Sequence, residues 1–258
     1  MYEKLIEDIC VLVRECGEIL RNAEKDKVNV AAKEGHGNLV TYYDKMVQDK
    51  LQEGLYKIMP EAVFFGEEEE EHSDISKGYA FIVDPIDGTT NFVMGANYSA
   101  ISIGVVKDLE RVAGVVYNPF TDEMFTAEKG KGAFLNGKQI HVSELDLKDS
   151  IAIFGTAPYY SEFGHTIFEL AKAYFDAALD VRRYGTASLD LCSVACGRAA
   201  IYFEQKLSPW DFAAGSVILE EAGGVITQFD GSPIVVDQKC GIVGANKASS
   251  RLEILAKM

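Results

Sequence analysis

An apolar run that ends abruptly in acid is the feature that most constrains this chain. Tyr79–Val83 has strand character and leads without a break into Asp84-Pro85-Ile86-Asp87-Gly88-Thr89-Thr90-Asn91-Phe92. Pro85 fixes its own φ and stiffens the turn. A strand end followed by a rigid turn can aim two carboxylates at one point. Hard cations such as Mg2+ require oxygen ligands in tight octahedral geometry, and the Ile86 carbonyl is a third oxygen between the two acids. Gly88 permits close backbone approach. If Gly88-Thr89-Thr90 opens a helix, its amides suit a phosphate oxygen. Taken alone, Asp-Pro-x-Asp-Gly reads better as a solvated turn, for which these residues are individually common. The full nine-residue string behind an apolar strand is far more specific.

Around this junction the chain alternates between helical and strand periodicities. Leu5, Ile9, Leu12, Val13, Cys16, Ile19 and Leu20 mark an amphipathic helix over Tyr2–Arg21, and a second is expected from about Asp44 to Ile58, stopped by Pro60. Strands are expected at Ser99–Val106, Val112–Tyr117, Glu123–Ala127, Ala133–Leu135, Gln139–Val142 and Ile151–Phe154, with Asn136-Gly137 as a tight turn. Beyond them helices at Ser161–Ala177, Ser188–Cys196 and from about Asp211 to Gly223-Gly224 alternate with strands at Val181–Tyr184, Ala200–Glu204, Val225–Thr227 and Ile242–Val243, and a final helix closes the chain. The class is mixed α/β (α+β). A boundary near residue 150 divides an N-terminal α+β subdomain, 1–150, from a C-terminal α/β subdomain, 151–258.

Three further acids stand at element ends. Asp44 opens the second helix. Glu67 follows Gly66 after the apolar run Ala62–Phe65, whereas Glu69–Glu71 reads as solvated acid. Asp211 follows Pro209-Trp210. Alone it reads as a helix cap, but small residues behind it in Trp210-Asp211-Phe212-Ala213-Ala214-Gly215 would let another backbone pack closely. The four histidines show no metal-type spacing and read as surface or structural groups. Gly130-x-Gly132 opens no helix and is not a dinucleotide loop.

With 258 residues, 48% of them hydrophobic, the chain can bury a core without staples. Its net charge of −15 argues against nucleic acid or an anionic membrane as partner. If the ligand is itself an anion, cations must reverse the local field. Five cysteines without a C-x-x-C, and no apolar leader, point to free thiols in the cytoplasm.

Together these residues resemble the inositol monophosphatase family, lithium-sensitive and magnesium-dependent phosphatases. The resemblance spans nearly the whole chain. It takes in Gly66-Glu67-Glu68, Asp84–Phe92, Lys129-Gly130-Lys131-Gly132-Ala133-Phe134, Asn136-Gly137, Gly185-Thr186-Ala187, Tyr202-Phe203-Glu204, Trp210-Asp211 and Glu221-Ala222-Gly223-Gly224. It implies a five-layer α-β-α-β-α sandwich, a homodimer, and two or three Mg2+ per site held by Glu67, Asp84, the Ile86 carbonyl, Asp87 and Asp211. It implies catalytic roles for Glu67, Thr89 and Asp44, a phosphate cradle at Gly88 and Thr89, and substrate contacts at Asp87, Ala187, Glu204 and Asp211. The implied reaction is Mg2+-dependent hydrolysis of myo-inositol 1-phosphate or a related polyol phosphate by metal-activated water. Fructose-1,6-bisphosphatase, histidinol phosphatase and 3′-phosphoadenosine 5′-phosphate phosphatase share such a site, and Arg182, Arg183, Tyr159 and Tyr160 are candidates for a second phosphate or an adenine. A regulatory binding protein that keeps the fold is the alternative of another class. Met94 and the Tyr42-Tyr43 pair depart from the usual family residues near the expected site mouth and bear on substrate choice.

Overall fold

The computed structural model describes residues 2–24, 31–32, 39–158 and 160–246. In chain order the elements are α1 (Glu3–Arg21), β1 (Ala31–Ala32), β2 (Leu39–Val40), α2 (Tyr42–Ile58), β3 (Val63–Gly66), β4 (Tyr79–Asp87), α3 (Thr89–Met94), β5 (Ala100–Lys107), β6 (Glu110–Asn118), β7 (Glu123–Glu128), β8 (Gly132–Leu135), β9 (Lys138–Ile140), β10 (Ile151–Phe154), α4 (Gly164–Ala177), β11 (Asp180–Arg182), α5 (Ala187–Ala195), β12 (Ile201–Leu207), α6 (Pro209–Glu221), β13 (Val225–Thr227) and β14 (Cys240–Ala245). The expected helix at the C-terminus lies outside the described residues. None of the described helices is long and apolar enough to cross a membrane.

Most expected elements are present with ends shifted by one to three residues. β12 runs three residues past Glu204, because after an irregularity at Gln205-Lys206 the ladder resumes with Leu207 opposite Cys240. The helix expected from Ser161 begins as a 3-10 turn, Ser161–Phe163, before α4 proper. Thr41 caps α2, its hydroxyl accepting from the amides of Tyr43 and Asp44, which sets the start two residues before Asp44.

Two large sheets carry the fold. Seven strands lie in the order β3-β4-β5-β6-β7-β8-β9, antiparallel except for the parallel β3–β4 pair; five lie in the order β11-β10-β12-β14-β13. The side-chain period of two sorts each strand between two cores. Phe81, Val83, Ile101, Ile103, Val105, Val115 and Tyr117 face α1 and α2, while Ala80, Ile82, Ala100 and Val116 face α5 and α6. Across α5 and α6 lies the second sheet, which sends Ile153, Tyr202 and Ile242 inward and Ala152, Ile201, Phe203 and Val243 outward against Ile167, Leu170 and Tyr174 of α4. The order is therefore helices, sheet, helices, sheet, helix, the five-layer α-β-α-β-α arrangement.

Helix α6 is the central layer's main contact with the seven-stranded sheet, and glycine decides how close it comes. A methyl group on Gly104 would stand 2.7 Å from Ala213 Cβ, and one on Gly114 2.5 Å from the Ala214 carbonyl oxygen. The small-residue face Ala213-Ala214-Gly215 thus meets a glycine patch on β5 and β6. At its far end Glu221 accepts the amides of Gly130, Lys131 and Gly132, so the amides of that Gly-x-Gly turn are filled by a carboxylate of the same chain.

Gly114→Ala is expected to destabilise the protein by about 1–3 kcal/mol, because the intruding methyl meets backbone rather than a movable side chain. Urea denaturation measures it. An unchanged midpoint would show that α6 is not held at this distance.

Candidate active site

The site collects where several elements end. In a regular strand Asp84 and Asp87, three residues apart, would point to opposite faces. The β4–β5 ladder instead pairs Asp84 with Ser102 and Asp87 with Ala100, so three steps on β4 oppose two on β5. This bulge at Pro85-Ile86 inserts one residue and returns Asp87 to the face that holds Asp84. The Asp84 carboxylate accepts the Ile86 amide at 3.0 Å, which ties the turn to itself. Both acids are buried.

The parallel pairing of β3 with β4 brings a third acid. Gly66 lies opposite Val83, and the Glu67 amide donates to the Val83 carbonyl at 3.0 Å, so Glu67 leaves β3 beside Asp84. His72 holds the following loop in place: its Nε2 is 2.8 Å from the Gly66 carbonyl, and its ring packs 4.4 Å from Phe65 and 5.2 Å from Trp210, centroid to centroid. The stack joins the Glu67 loop to the first turn of α6. Asp211 stands in that turn, and Ser102 Oγ lies 3.4 Å from the Trp210 carbonyl, which seats the turn over the residue paired with Asp84. One Asp211 oxygen accepts the Ser208 amide at 2.6 Å, the capping role its sequence context offers. Its carboxylate also joins Asp84 and Asp87 in a group whose candidate ligand atoms all lie within 4.8 Å of one another. Capping and clustering coexist.

Asp87 is held from the side by α5. It accepts the Ser188 amide at 2.7 Å and hydroxyl at 2.5 Å, and the Ala187 amide at 3.3 Å. Thr89 opens the six-residue α3 behind Gly88, whose φ is +84° and whose missing side chain would have struck Thr186 Oγ1 at 2.3 Å. Thr89 Oγ1 is 3.2 Å from Asp44 Oδ1 and 3.0 Å from the Ile86 carbonyl. The other Asp44 oxygen accepts the Thr41 amide and hydroxyl at 2.7 and 2.5 Å.

Burial and mutual repulsion shape the electrostatics. Burial, followed by Glu67, Asp87 and Asp211, pushes Asp84 well above the usual carboxylate range. Burial does the same to Asp211, with Asp87 and Glu67 adding to it. Asp87 rises to about 7, burial outweighing its bonds to Ser188. Asp44 is also raised by burial, against the lowering effect of Thr41. A convergent, buried, all-oxygen donor set of this kind fits a hard divalent cation, which would compensate the repulsion.

Glu67, Asp84, Ile86, Asp87 and Asp211 line one pocket of about 440 Å³, together with Gly88, Thr89, Ala187 and Glu204; Asp44 does not line it and stands behind Thr89. Glu204 is firmly held: its carboxylate takes the Tyr202 hydroxyl and the Ala157 amide, both at 2.6 Å, and burial raises its pKa. Gly155 gives it room, since a methyl there would stand 1.9 Å from Glu204 Oε2. Arg183 and Tyr160 line the pocket too; Arg182 pairs with Asp180 instead, and Tyr159 lies outside the described residues. Met94 and Tyr42 are exposed and do not line it.

Several positioning residues escaped the sequence reading. Asn91 donates to the carbonyls of Tyr98 and Tyr184, both at 2.9 Å, and fastens α3 to the segment before α5. Asp190 is fully buried; burial raises its pKa well above normal, and among the described residues only the Tyr98 hydroxyl donates to its carboxylate. Ser188 was visible only as a helix start. Apart from the Asn91–Tyr98 bond, these contacts bridge residues 92 to 101 apart in sequence, where no local pattern reports them.

The full length of the chain has relatives of known structure and name. Residues 1–257 match the family described as the inositol monophosphatase family. Inositol monophosphatase 1 of Sus scrofa is 33% identical over 253 residues, 96% of this chain and 91% of that protein. The crystal structure of extragenic suppressor protein suhB from Bartonella henselae superposes with a TM-score of 0.91 at 32% identity, covering 98% of each chain. That of SaIMPase-II bound to inositol monophosphate gives a TM-score of 0.84 at 30% identity, covering 100% of this chain and 96% of that one.

The raised carboxylates make stability depend on pH. A carboxyl whose folded pKa exceeds its unfolded value binds more protons when folded, so its contribution is present at low pH and lost as pH rises through the folded pKa. For Asp87 that window runs from 3.8 to about 7. In chelator the melting temperature should fall from about pH 5 to about pH 8, and a divalent cation should raise it most at the alkaline end. A cation effect absent or equal at both pH values in thermal scans would contradict the charge cluster.

Proposed function

We propose that this chain, which belongs to the inositol monophosphatase family, hydrolyses inositol 1-phosphate or a closely related polyol phosphate with Mg2+ as its metal. That it is a phosphoric monoester hydrolase follows from its family. The observation carrying the finer reading is the convergence of Asp84, Asp87 and Asp211 within 4.8 Å, beside Glu67, in a pocket that also contains Glu204. The inositol monophosphate held by SaIMPase-II supports the substrate.

Glu67, Asp84, the Ile86 carbonyl, Asp87 and Asp211 would hold two or three Mg2+. When bound, such ions supply charge neutralisation for phosphate and acidify water. The chain's own groups do the rest. The amides following Gly88 receive phosphate oxygen. Thr89 Oγ1, with its hydrogen directed to Asp44 Oδ1 at 3.2 Å, keeps a lone pair for the proton of an attacking water and passes its own proton to Asp44. Burial makes Asp44 a better proton acceptor than a solvated aspartate, while Thr41 fixes its other oxygen. Glu67 shares the base role at the other edge of the cluster. Ala187 and Glu204 bound the space for the organic half of the substrate.

A homodimer and a cytoplasmic location complete this reading. Phe168, Phe175 and Leu179 are more than half exposed beside the edge strand β11, a surface suited to a second copy. The five thiols are unpaired, which fits a reducing compartment.

Phosphate release from inositol 1-phosphate should require Mg2+. Asp84→Asn should reduce kcat by at least about 100-fold with the fold retained by circular dichroism, and Thr89→Val should lower kcat by about 10²–10³-fold with little change in KM. Release that is independent of Mg2+, or an active Asp84→Asn enzyme, would overturn the reading.

A further inference from the structure

The pocket has a second chemical character that hydrolysis of a neutral polyol's phosphate leaves unused. Lys206 and Lys239 both line it. One strand pairing brings them together: Lys206 precedes Leu207 at the end of β12, Lys239 immediately precedes β14, and Leu207 pairs with Cys240, the first residue of β14. Both ammonium groups gather on Tyr160, at 5.4 and 5.9 Å from its ring centroid, and Lys239 Nζ donates to the Tyr160 hydroxyl at 3.1 Å. Among the described residues no carboxylate lies within ion-pair distance of either lysine, in a chain with 40 acids and 25 lysines and arginines. Arg183, the pocket's other cation, instead offsets part of the burial-driven rise at Glu204 and donates to Thr156 Oγ1 at 3.1 Å.

Two like charges brought to one aromatic ring repel each other. The ring's negative face offsets part of that cost, and an anion between the ammonium groups would reverse it. An uncharged inositol ring offers no such group. The reactive phosphate belongs with the carboxylate cluster, where cations can neutralise both.

Resting on the phosphatase reading of the same pocket, we propose that Lys206, Lys239 and Tyr160 form an anion subsite, so that the preferred substrates are phosphomonoesters carrying a second anionic group. The planar Tyr160 ring also lets a flat apolar portion of such a substrate stack beside that group. Lys206 and Lys239 are specificity residues here and touch no reacting atom.

The test compares matched substrates in Mg2+: inositol 1-phosphate and glycerol 2-phosphate against fructose 1,6-bisphosphate and 3′-phosphoadenosine 5′-phosphate. Wild type should show higher kcat/KM on at least one bis-anionic substrate. Lys206→Met and Lys239→Met should each raise KM for it about tenfold, with kcat within about twofold, and should leave both monophosphates nearly unchanged. The split between the two bis-anionic substrates tells whether the flat group contributes. Equal losses on mono- and bis-anionic substrates would mean general steering by positive charge and overturn the subsite, as would a wild type that favours the monophosphates throughout. If no substrate releases phosphate, the phosphatase reading fails. Calorimetric titration of wild type and the Lys206→Met/Lys239→Met variant with fructose 1,6-bisphosphate then decides the subsite alone: weaker binding by the variant supports it, equal binding overturns it.

Discussion

Holding several carboxylates together away from water is the constraint on which this structure turns. At the 4.8 Å spread of the Asp84, Asp87 and Asp211 ligand atoms, an ionised pair repels by about 3 kcal/mol at an effective dielectric near 20. The chain cannot relax that repulsion by letting the acids swing apart, because each is fixed by something other than its neighbours. The bulge aims Asp84 and Asp87, the start of α5 grips Asp87 through Ser188, and the Ser208 amide grips Asp211. The strain is shed by proton uptake or by a cation.

Packing far from the pocket serves the same end. The approach of α6 to Gly104 and Gly114 sets the depth at which Asp211 sits over the sheet. The Phe65–His72–Trp210 stack sets the spacing between the Glu67 loop and that helix. Asp44 reaches the site from α2 on the other side of the sheet through a single contact with Thr89. Four of the five layers thus meet one site through few contacts, many of them backbone amides, which are stiffer than side chains. That rigidity is what orienting a nucleophile requires.

Much of this was legible in the residues. Strong periodicity exposed nearly every element, and Asp84, Asp87, Glu67 and Asp211 stood out because each sits where an element begins or ends. The Asp211 sequence posed a choice between capping and ligation that geometry dissolves, since the same carboxylate accepts the Ser208 amide and joins Asp84 and Asp87. What sequence hid was long-range. Pro85 marked a stiff turn but not that the turn is a bulge that reverses the facing of Asp87. His72 looked like a loop residue because its partners Phe65 and Trp210 are joined only by the fold. Lys206 and Lys239 lie 33 positions apart, and only the pairing of β12 with β14 brings them to one ring. Tyr160 and Arg183 were readable as candidates for a second group; the lysines that give such a subsite its charge were not.

The position of a bound cation is the most direct readout of the carboxylate cluster. Crystals grown with Mn2+ in place of Mg2+ should give anomalous density among the carboxylates of Asp84, Asp87 and Asp211, within about 2.0–2.3 Å of their oxygens. A cation elsewhere, or none at saturating Mn2+, would contradict the claim that the bulge and the first turn of α6 together build a metal centre.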